Sequence, residues 1–215
     1  GRGRRGRGWE SPAGINIYYT LMLKPDFSSD CAPMLTLVMA LAVAKGIRQT
    51  LRRDSEEAAA KVGIKWPNDI VVDGKKVCGI LTEMSMEQGY IQHIVIGVGI
   101  NVRKQEFPEE IRDRAAAIDE QCGFRISRSQ LIADIMEAFE EDYEIFLRTH
   151  DLKGLRASYA ELLVNQDREV CVLDPKGEYR GIARGINDQG ELLVERQDGT
   201  VEEVYAGEVS VRGIY

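Results

Sequence analysis

Residues 64–102 read IKWPNDIVVDGKKVCGILTEMSMEQGYIQHIVIGVGINV, and this stretch decides the fold. It contains short apolar runs of the kind that form strands, at residues 64–66, 70–72, 76–84 and 90–102. Asp73-Gly74 separates two of these runs, and Asp-Gly in such a position is a strong signal for a hairpin with a type I′ turn. The stretch therefore predicts an antiparallel sheet at the centre of the protein.

The flanking sequence predicts one more strand and several helices. We expect a strand at 15–23, a buried helix at about 33–52 that begins near Pro33, and a short helix near 109–118. A long amphipathic helix follows, capped by Ser127 or Ser129. Its apolar residues trace one face, and its acidic residues crowd the others: Asp134, Glu137, Glu140, Glu141 and Glu144.

The texture of the chain changes from about Val164. Four or five short strands separated by turn signals follow in about 50 residues, which suggests a small barrel of the SH3-like kind. We therefore predict an α+β fold with a domain boundary near residue 163, dividing the chain into residues 1–163 and 164–215.

Composition excludes several classes of protein. The 215 residues carry a formal net charge of −7, although four arginines stand among the first eight residues. So acidic a body argues against general nucleic-acid binding. The four cysteines form no C-x-x-C pair, which argues against a zinc site or disulfide framework. No uncharged apolar run reaches the length of a membrane span and no secretory signal is present, so we expect a cytoplasmic protein without membrane contact.

The first nine residues, GRGRRGRGW, combine four glycines and four arginines with a closing Trp9. Glycine lets the backbone approach a ligand closely, and arginine offers a forked cation that suits carboxylate and phosphate. Such a run is also typical of disordered nucleic-acid tails. Trp9, however, leads within a few residues into the strand at 15–23, which favours an anion-binding loop joined to the core. Because the chain begins inside this loop, we expect further residues upstream of Gly1.

Two strings in the central stretch place polar groups where a ligand could bind. In KWPND, Trp66-Pro67 breaks the strand, so Asn68 and Asp69 fall at a turn and could face a ligand or a metal ion. A simple turn stabilised by Asn68 is the alternative. In GKKVCGIL, alternation along the strand puts Lys76 on the apolar face with Cys78 and Ile80. A lysine there needs an anionic partner such as a bound ligand, unless it snorkels at the strand end.

The string GVGINV at 97–102 fails as a dinucleotide fingerprint, because Val102 replaces the third glycine and no helix pattern follows. Its glycines would instead let a strand pass close to a flat ligand. Asn101 would then recognise polar atoms at the end of the strand.

Taken in order, these four strings resemble those of the biotin protein ligase family, also called biotin–acetyl-CoA-carboxylase ligases. The C-terminal segments RGIARGI at 180–186 and GEVSVR at 207–212 resemble the family's C-terminal barrel, so the resemblance covers nearly the whole chain. It implies a mixed sheet flanked by helices, like that of class II aminoacyl-tRNA synthetases, followed by the SH3-like barrel.

The resemblance also implies two-step chemistry with biotin, ATP and Mg²⁺. Biotin is activated as biotinyl-5′-AMP and then transferred to a lysine of a biotin carboxyl carrier protein, from acetyl-CoA carboxylase or a related carboxylase. The implied catalytic residues are Lys76, Arg4 and Asp69, with Asp69 also a metal ligand.

Other residues that match the family's motifs are implied to bind substrate. The arginine loop and Trp9 would hold biotin and the adenylate, Trp9 on the adenine side, and Gly79 and Ile80 would form part of the biotin ring pocket. The full implied binding set is Arg2, Gly3, Arg4, Arg5, Arg7, Trp9, Asn68, Lys76, Gly79, Ile80, Gly99, Asn101 and Arg212.

One departure and three alternatives accompany the resemblance. A Ser-Thr-Asn segment and a glutamine that contact biotin in the family lie before the arginine loop, and this sequence does not contain them. A homodimer is expected from the family, and DNA binding only if a helix-turn-helix domain precedes this chain. A lipoate or octanoate ligase, a non-catalytic biotin-sensing regulator and an RNA-binding protein are the competing interpretations.

Overall fold

The computed structural model describes residues 1–3, 6, 8–174, 177–205 and 210–212, with the backbone alone at 174 and 210–212. Five strands build the first sheet: β1 Ile17–Leu23, β2 Val62–Lys65, β3 Asp69–Val72, β4 Lys75–Glu87 and β5 Tyr90–Ile100. Five more build the second: β6 Glu169–Asp174, β7 Gly177–Ile186, β8 Leu192–Glu195, β9 Val201–Val204 and β10 Ser210–Arg212. The helices are α1 Leu35–Arg52, α2 Glu56–Ala60, α3 Ile118–Cys122, α4 Arg128–Thr149 and α5 Arg156–Leu162, with a 3₁₀ helix at Ser29–Met34.

The first sheet has the order β1-β5-β4-β3-β2, and each neighbouring pair is antiparallel. Parallel pairing within the described residues is confined to isolated bridges that join Ile64 to Leu163 and Lys76 to Ala115. Asp73 and Gly74 connect β3 to β4 with φ of 51° and 74°, which is the backbone that a type I′ turn requires. The predicted central sheet and its hairpin are confirmed.

The first sheet and the helices packed on it, α1 and α4, form what we call the first module. Helix α1 is its core and lies between the sheet and α4. Thirteen of its residues are buried, which agrees with the predicted buried helix at about 33–52, although the first residues of that range belong to the 3₁₀ helix. The two long helices approach so closely that a Cβ on Gly46 would lie 2.8 Å from the backbone of Ile135. Glycine is required there for steric reasons.

The helix expected near 109–118 is wrong. Residues 109–114 form turns, and α3 begins only at Ile118. The reason is tertiary: the Lys76 amide donates to the Arg114 carbonyl at 2.7 Å, and the Ala116 amide donates to the Lys76 carbonyl at 2.9 Å. These bonds hold the backbone of this segment against β4 in a bridge that a helix could not form.

Helix α4 is capped by Ser127, whose hydroxyl accepts a hydrogen bond from the Gln130 amide. Two of its carboxylates face α1 rather than solvent, and Asp134 is among them, contrary to the predicted acidic outer faces. Asp134 is 2% exposed and accepts hydrogen bonds from Arg53 and from Thr50 Oγ1, the latter at 2.6 Å. Asp142 is fully buried and pairs with Lys45 Nζ at 2.5 Å.

These two buried carboxylates differ in their electrostatics. Burial would raise the pKa of Asp134, but the hydrogen bonds from Arg53, Thr50 and Gln130 outweigh it and hold the pKa below its usual value. For Asp142 burial prevails over the pairing with Lys45 and raises the pKa. The ionised form therefore stabilises the fold at Asp134 and costs free energy at Asp142.

The second sheet has the order β10-β6-β7-β8-β9 and is antiparallel throughout. These five strands form what we call the C-terminal module, and their number matches the four or five short strands expected from the sequence. The domain boundary near residue 163 stays a prediction, since the second sheet starts at Glu169 and Leu163 still bridges to β2.

By length and composition, the helical segment Ser29–Arg52 could cross a membrane. In this structure 72% of its apolar window is buried, where α1 packs against the sheet and α4.

We predict that replacing Asp134 by Asn destabilises the protein by about 1.5–3 kcal/mol at pH 7, because charge-assisted hydrogen bonds from Arg53 and Thr50 are lost. Replacing Asp142 by Asn should cost far less. The contribution of Asp134 is complete above the unfolded pKa of about 3.9 and is lost as the pH falls through the lower folded value. Urea denaturation of both variants across this pH range measures the difference. An equal loss in the two variants would contradict the electrostatic assignment.

Candidate functional site

The KWPND turn joins β2 to β3 and is tied to β4. Lys65 and Asp69 are directly paired, so residues 66–68 form the connection. The side-chain amide of Asn68 donates to the Ile80 carbonyl at 2.9 Å, and the Ile80 amide donates to the Asn68 carbonyl at 3.0 Å. Asn68 therefore fastens the turn to the neighbouring strand, as in the alternative of a simple turn, whereas the resemblance implied that it binds substrate.

Lys76 lies on the face opposite to the one that alternation predicts. The register between β3 and β4 shifts at Val77, because Ile70 pairs with Cys78 while Val71 pairs with Lys76. A bulge of this kind inserts one extra residue and reverses the alternation. Lys76 consequently lies beside Gly79, where a Cβ would be 3.3 Å from its Nζ. Cys78 and Ile80 are buried in the core on the other face.

This reversal corrects two sequence-based expectations. Lys76 does not share a face with Cys78 and Ile80, yet the bulge directs it towards the open side of the sheet. Ile80, which was expected to line a pocket with Gly79, points its side chain into the core because adjacent strand residues alternate. Burial also raises the pKa of the Cys78 thiol, so this thiol stays protonated.

The side chain of Lys76 is held by Asp69. Its Nζ lies 2.6 Å from Asp69 Oδ1, and the side chains are 27% and 15% exposed. Asp69 starts β3 and is paired with Gly79 in the register of the sheet. The turn that carries Asp69 and the strand that carries Lys76 thus place a carboxylate and an ammonium group together above the same glycine.

The indole of Trp9 lies directly against two glycines, which form the glycine floor of the site. Gly79 and Gly99 face each other across β4 and β5, and a Cβ on either one would come within 2.8 Å or 2.7 Å of the indole. Lys76 Nζ is 5.4 Å from the centroid of the indole, within the range of a cation–π contact. The glycines of GVGINV therefore admit a flat group, and here that group belongs to the protein itself.

Gly97 lies further along the same face, beyond Trp9, where the surface of the sheet is not covered closely by other side chains. The nearest atom that a Cβ on Gly97 would meet is the Leu81 carbonyl oxygen, at 3.7 Å. Gly97 and Gly99 lie two residues apart and so face the same side. The floor below Trp9 therefore continues into space that could receive a ligand.

The arginine loop folds back on itself. Arg2 and Gly8 form an antiparallel bridge, and the Trp9 amide donates to the Gly1 carbonyl at 3.0 Å. Arg2 is exposed and Gly3 half-buried. The expected roles of Arg4, Arg5 and Arg7 fall on residues outside the described ones, as does that of the Arg212 side chain.

Asn101 is buried at the end of β5, and its backbone amide donates to the Val77 carbonyl at 2.8 Å. The sequence pattern did not predict a role for its neighbour Asn16. Asn16 Oδ1 accepts from the Val102 amide at 2.8 Å, and its Nδ2 donates to Gln105 Oε1 at 2.8 Å and to Tyr18 Oη at 3.0 Å. An asparagine at the start of an apolar strand was the available signal.

Metal ligands are sparse in the part of the chain that the structure describes. No group of three or more His, Cys, Asp or Glu side chains converges there in a way that could hold an ion. Asp69, the expected metal ligand, instead pairs with Lys76.

A cavity of about 450 Å³ is lined by residues that were not predicted for the site: Ile15, Arg103, Lys104, Asp119, Glu120 and Arg125. Arg103 and Asp119 neutralise each other there at 2.6 Å. The convergence of Asp69, Lys76 and Trp9 on the glycine floor is the stronger candidate for a functional site.

Comparison with known proteins shows the family of the chain. Residues 1–101 match the biotin/lipoate A/B protein ligase family, and residues 167–212 match the biotin protein ligase C-terminal domain. The structure is similar to that of biotin protein ligase from Aquifex aeolicus in complex with biotin and ATP. The TM-score is 0.81 at 28% sequence identity, covering 99% of this chain and 84% of that one.

Two curated relatives define the extent of the similarity. The bifunctional ligase/repressor BirA of Bacillus subtilis is 35% identical over 213 residues, covering 98% of this chain but 63% of the relative. This chain therefore spans less than two thirds of that relative's length. The biotin–[acetyl-CoA-carboxylase] ligase of Mycobacterium tuberculosis is 30% identical over 211 residues, covering 97% of this chain and 74% of the relative. The sequence strings, the fold and both family matches agree: the chain belongs to the biotin protein ligase family.

Proposed function

We propose that this chain is the ligase part of an enzyme that activates biotin with ATP and transfers it to a lysine of a biotin carboxyl carrier protein. The observation that carries the proposal is the position of Lys76, held 2.6 Å from Asp69 beside the glycine floor. An ammonium group fixed on the open face of a sheet, beside an aromatic cover, suits a substrate that is both flat and anionic.

The chemistry has two steps. A carboxylate oxygen of biotin attacks the α-phosphorus of ATP, the bond to the bridging oxygen of the β-phosphate breaks, and pyrophosphate leaves. The amine of the carrier lysine then attacks the carbonyl of the resulting mixed anhydride. AMP leaves with the electron pair of the C–O bond, and the amine loses a proton as the amide forms.

Lys76 would serve the first step. Two anions must approach each other there, and negative charge builds up on the oxygens around the α-phosphorus. A fixed donor aimed at such charge is typically worth about 3–4 kcal/mol. Asp69 would act by holding the ammonium group in place before substrate arrives, so that little reorganisation is needed.

Trp9 and the arginine loop would cover the intermediate. Because biotinyl-5′-AMP is a mixed anhydride, water must be kept from it until the carrier lysine arrives. The indole already lies on the glycine floor, and the Arg2–Gly8 bridge closes the loop that carries it. We propose that this loop shifts to admit biotin and ATP and then closes over the adenylate.

Mg²⁺ fits this site only in a limited way. The site offers a single carboxylate, Asp69, and this carboxylate already pairs with Lys76. One carboxylate can nevertheless be enough, because magnesium in nucleotide sites is usually held by one or two carboxylates together with substrate phosphates. Asp69 would thus be the protein ligand of an ion that ATP brings, and the ion would neutralise charge on the phosphates.

For the whole protein we also propose a biotin carboxyl carrier protein as partner, assembly as a homodimer and a cytoplasmic location. The relatives named ligase/repressor favour a second activity, biotin-dependent repression, which would require a DNA-binding segment outside residues 1–215.

We expect biotin to support exchange of radiolabelled pyrophosphate into ATP, whereas lipoate and octanoate do not. Exchange requires reversible formation of an acyl-adenylate, so the assay reports the first step alone. Exchange with lipoate or octanoate in place of biotin would move the chain to the other branch of its family. Biotin binding without exchange, in this chain and in a version extended at its N-terminus, would favour a sensor that lacks catalysis.

Lys76→Ala should lower kcat of the exchange reaction by about 100-fold to 1000-fold, the effect expected for loss of one donor to the developing charge. Lys75→Ala is the matched control, since Lys75 is the exposed neighbour on the same strand and should leave kcat within about twofold. Circular dichroism and urea denaturation establish that both variants are folded. Equal kcat in the two variants would remove Lys76 from the proposed role.

Gly99→Ala should displace Trp9, because the new Cβ would lie 2.7 Å from the indole. The expected result is Trp9 fluorescence at longer wavelength, with emission assigned by Trp9→Phe, together with a raised KM for biotin. Gly97→Ala is the control for packing, since its Cβ meets nothing closer than 3.7 Å, and its emission should match the wild type. Unchanged emission in Gly99→Ala would show that the indole does not rest on Gly99 in solution.

A further inference from the structure

Trp66 connects the two sheets of the protein. Its indole Nε1 donates to the Gly190 carbonyl at 2.9 Å, across 124 positions of sequence, and its backbone amide donates to Asn165 Oδ1 at 2.9 Å. Trp66 is 1% exposed and Asn165 is fully buried. Both partners come from the C-terminal half of the chain, and both hydrogen bonds are shielded from water, which makes their loss costly.

Gly190 belongs to a tight turn between β7 and β8. Asn187 Oδ1 accepts hydrogen bonds from the Gln189 and Glu191 amides, each at 3.0 Å, and the Gly190 amide donates to the Asn187 carbonyl at 3.1 Å. The φ of Gly190 is +79°, and a Cβ there would lie 2.9 Å from Leu152. The turn is therefore rigid and closely fitted against the first module.

The same turn is anchored beside Gly190. The Leu152 amide donates to the Asp188 carbonyl at 2.8 Å, and Arg156 pairs with Asp188 at 2.8 Å. The Gly190 carbonyl, which accepts the Trp66 indole hydrogen bond, therefore lies in a turn that is itself held by several hydrogen bonds and an ion pair. It can in turn hold Trp66 in position.

Trp66 precedes the residues that set the position of Lys76. Asn68 follows two positions later and is bonded to Ile80, and Asp69 follows three positions later and holds Lys76 Nζ at 2.6 Å. A displaced Trp66 would displace Asp69 with it, because only Pro67 and Asn68 separate the two residues.

We infer that the β7–β8 turn is a positioning element for the adenylation step, and that Trp66 is the positioning residue through which it acts on Asp69 and Lys76. The inference rests on the proposed function for its kinetic test, but not for its structural test. It gives the C-terminal module a role in the first step through its fixed turn, apart from any contact that its own side chains make with substrate.

Trp66→Phe tests the inference because it keeps a buried ring and removes the indole donor. We expect kcat of biotin-dependent pyrophosphate exchange to fall about tenfold or more, with KM for biotin changed by less than about twofold, since misplacement of a catalytic group by about 1 Å can cost 100-fold. Asp134→Asn is the control for lost stability, as it destabilises the fold away from the site and should leave kcat unchanged. A fall in kcat that Asp134→Asn reproduces would overturn the inference.

A second variant approaches the same link from the C-terminal module. Asn187→Ala removes the acceptor that shapes the β7–β8 turn. Asp198→Ala removes a similar acceptor from the β8–β9 turn, where Asp198 Oδ1 bonds the Thr200 amide at 3.0 Å. We expect Asn187→Ala to lower kcat and Asp198→Ala to leave it within about twofold. Equal losses of kcat in the two variants would mean that any destabilised turn of the C-terminal module lowers activity, and would overturn the inference.

A double-mutant cycle with Lys76 separates positioning from a structural role. If Trp66 acts through Lys76, Trp66→Phe should have little further effect on the residual kcat of Lys76→Ala. If the two single effects on kcat multiply in the double variant, Trp66 acts independently of Lys76 and the inference is overturned.

An activity-independent measurement distinguishes failure of this inference from failure of the proposed function. The ¹⁵N signal of the Lys76 ammonium group, assigned by its loss in Lys76→Ala, should be sharp when Asp69 holds it. We expect it to broaden in Trp66→Phe and Asn187→Ala and to persist in Asp134→Asn and Asp198→Ala. A signal unchanged in Trp66→Phe overturns the positioning role, whatever the enzymatic activity. If the wild-type protein lacks exchange but its sharp signal broadens in Trp66→Phe, the positioning role is retained and the proposed function is lost.

Discussion

The pairing of Gly79 with Gly99 across β4 and β5 is the contact on which the candidate site depends. Two facing residues without side chains leave a shallow floor in a sheet whose other face is filled by large apolar side chains. The indole of Trp9 rests on that floor. If β4 slipped by one residue against β5, its side chains would change face, and Cys78 or Ile80 would take the place of Gly79 below the indole. The register of this strand pair therefore decides which face carries the candidate site.

The bulge at Val77 is the second constraint. By adding a residue between Lys76 and Cys78 it places the lysine on the glycine side while the strand beyond it keeps its apolar residues in the core. The cost of burying an ammonium group among apolar residues is thereby avoided, and Asp69 compensates the charge that remains half-buried. Bulges are often found next to active sites because they redirect one side chain without disturbing the rest of the strand.

Buried polar contacts join the parts of the molecule that do not share a sheet. Asp134 and Asp142 connect α4 to α1, and Trp66 connects the first sheet to the turn between β7 and β8. Each of these contacts pairs groups far apart in sequence, so each forms only when distant segments of the chain have packed together. The candidate-site residues at the β2–β3 turn therefore depend on the C-terminal half of the chain as well as on the strands that carry them.

The sequence by itself determined the strands of the central stretch, the Asp73-Gly74 hairpin, the buried helix and the small second module. Those features follow from local periodicity and turn chemistry, which act between residues close in the chain. It also singled out Trp9, Asp69 and Lys76 as residues of one site, through motifs that resemble a known family.

Tertiary structure alone decided which way these side chains point. The bulge reversed the face of Lys76, and pairing with β4 replaced the expected helix near 109–118 by turns and a bridge. Asp134 became buried because α1 lies against it, and Trp66 found a partner 124 residues away. Each of these outcomes depends on contacts between distant segments, which periodicity and local propensity do not encode.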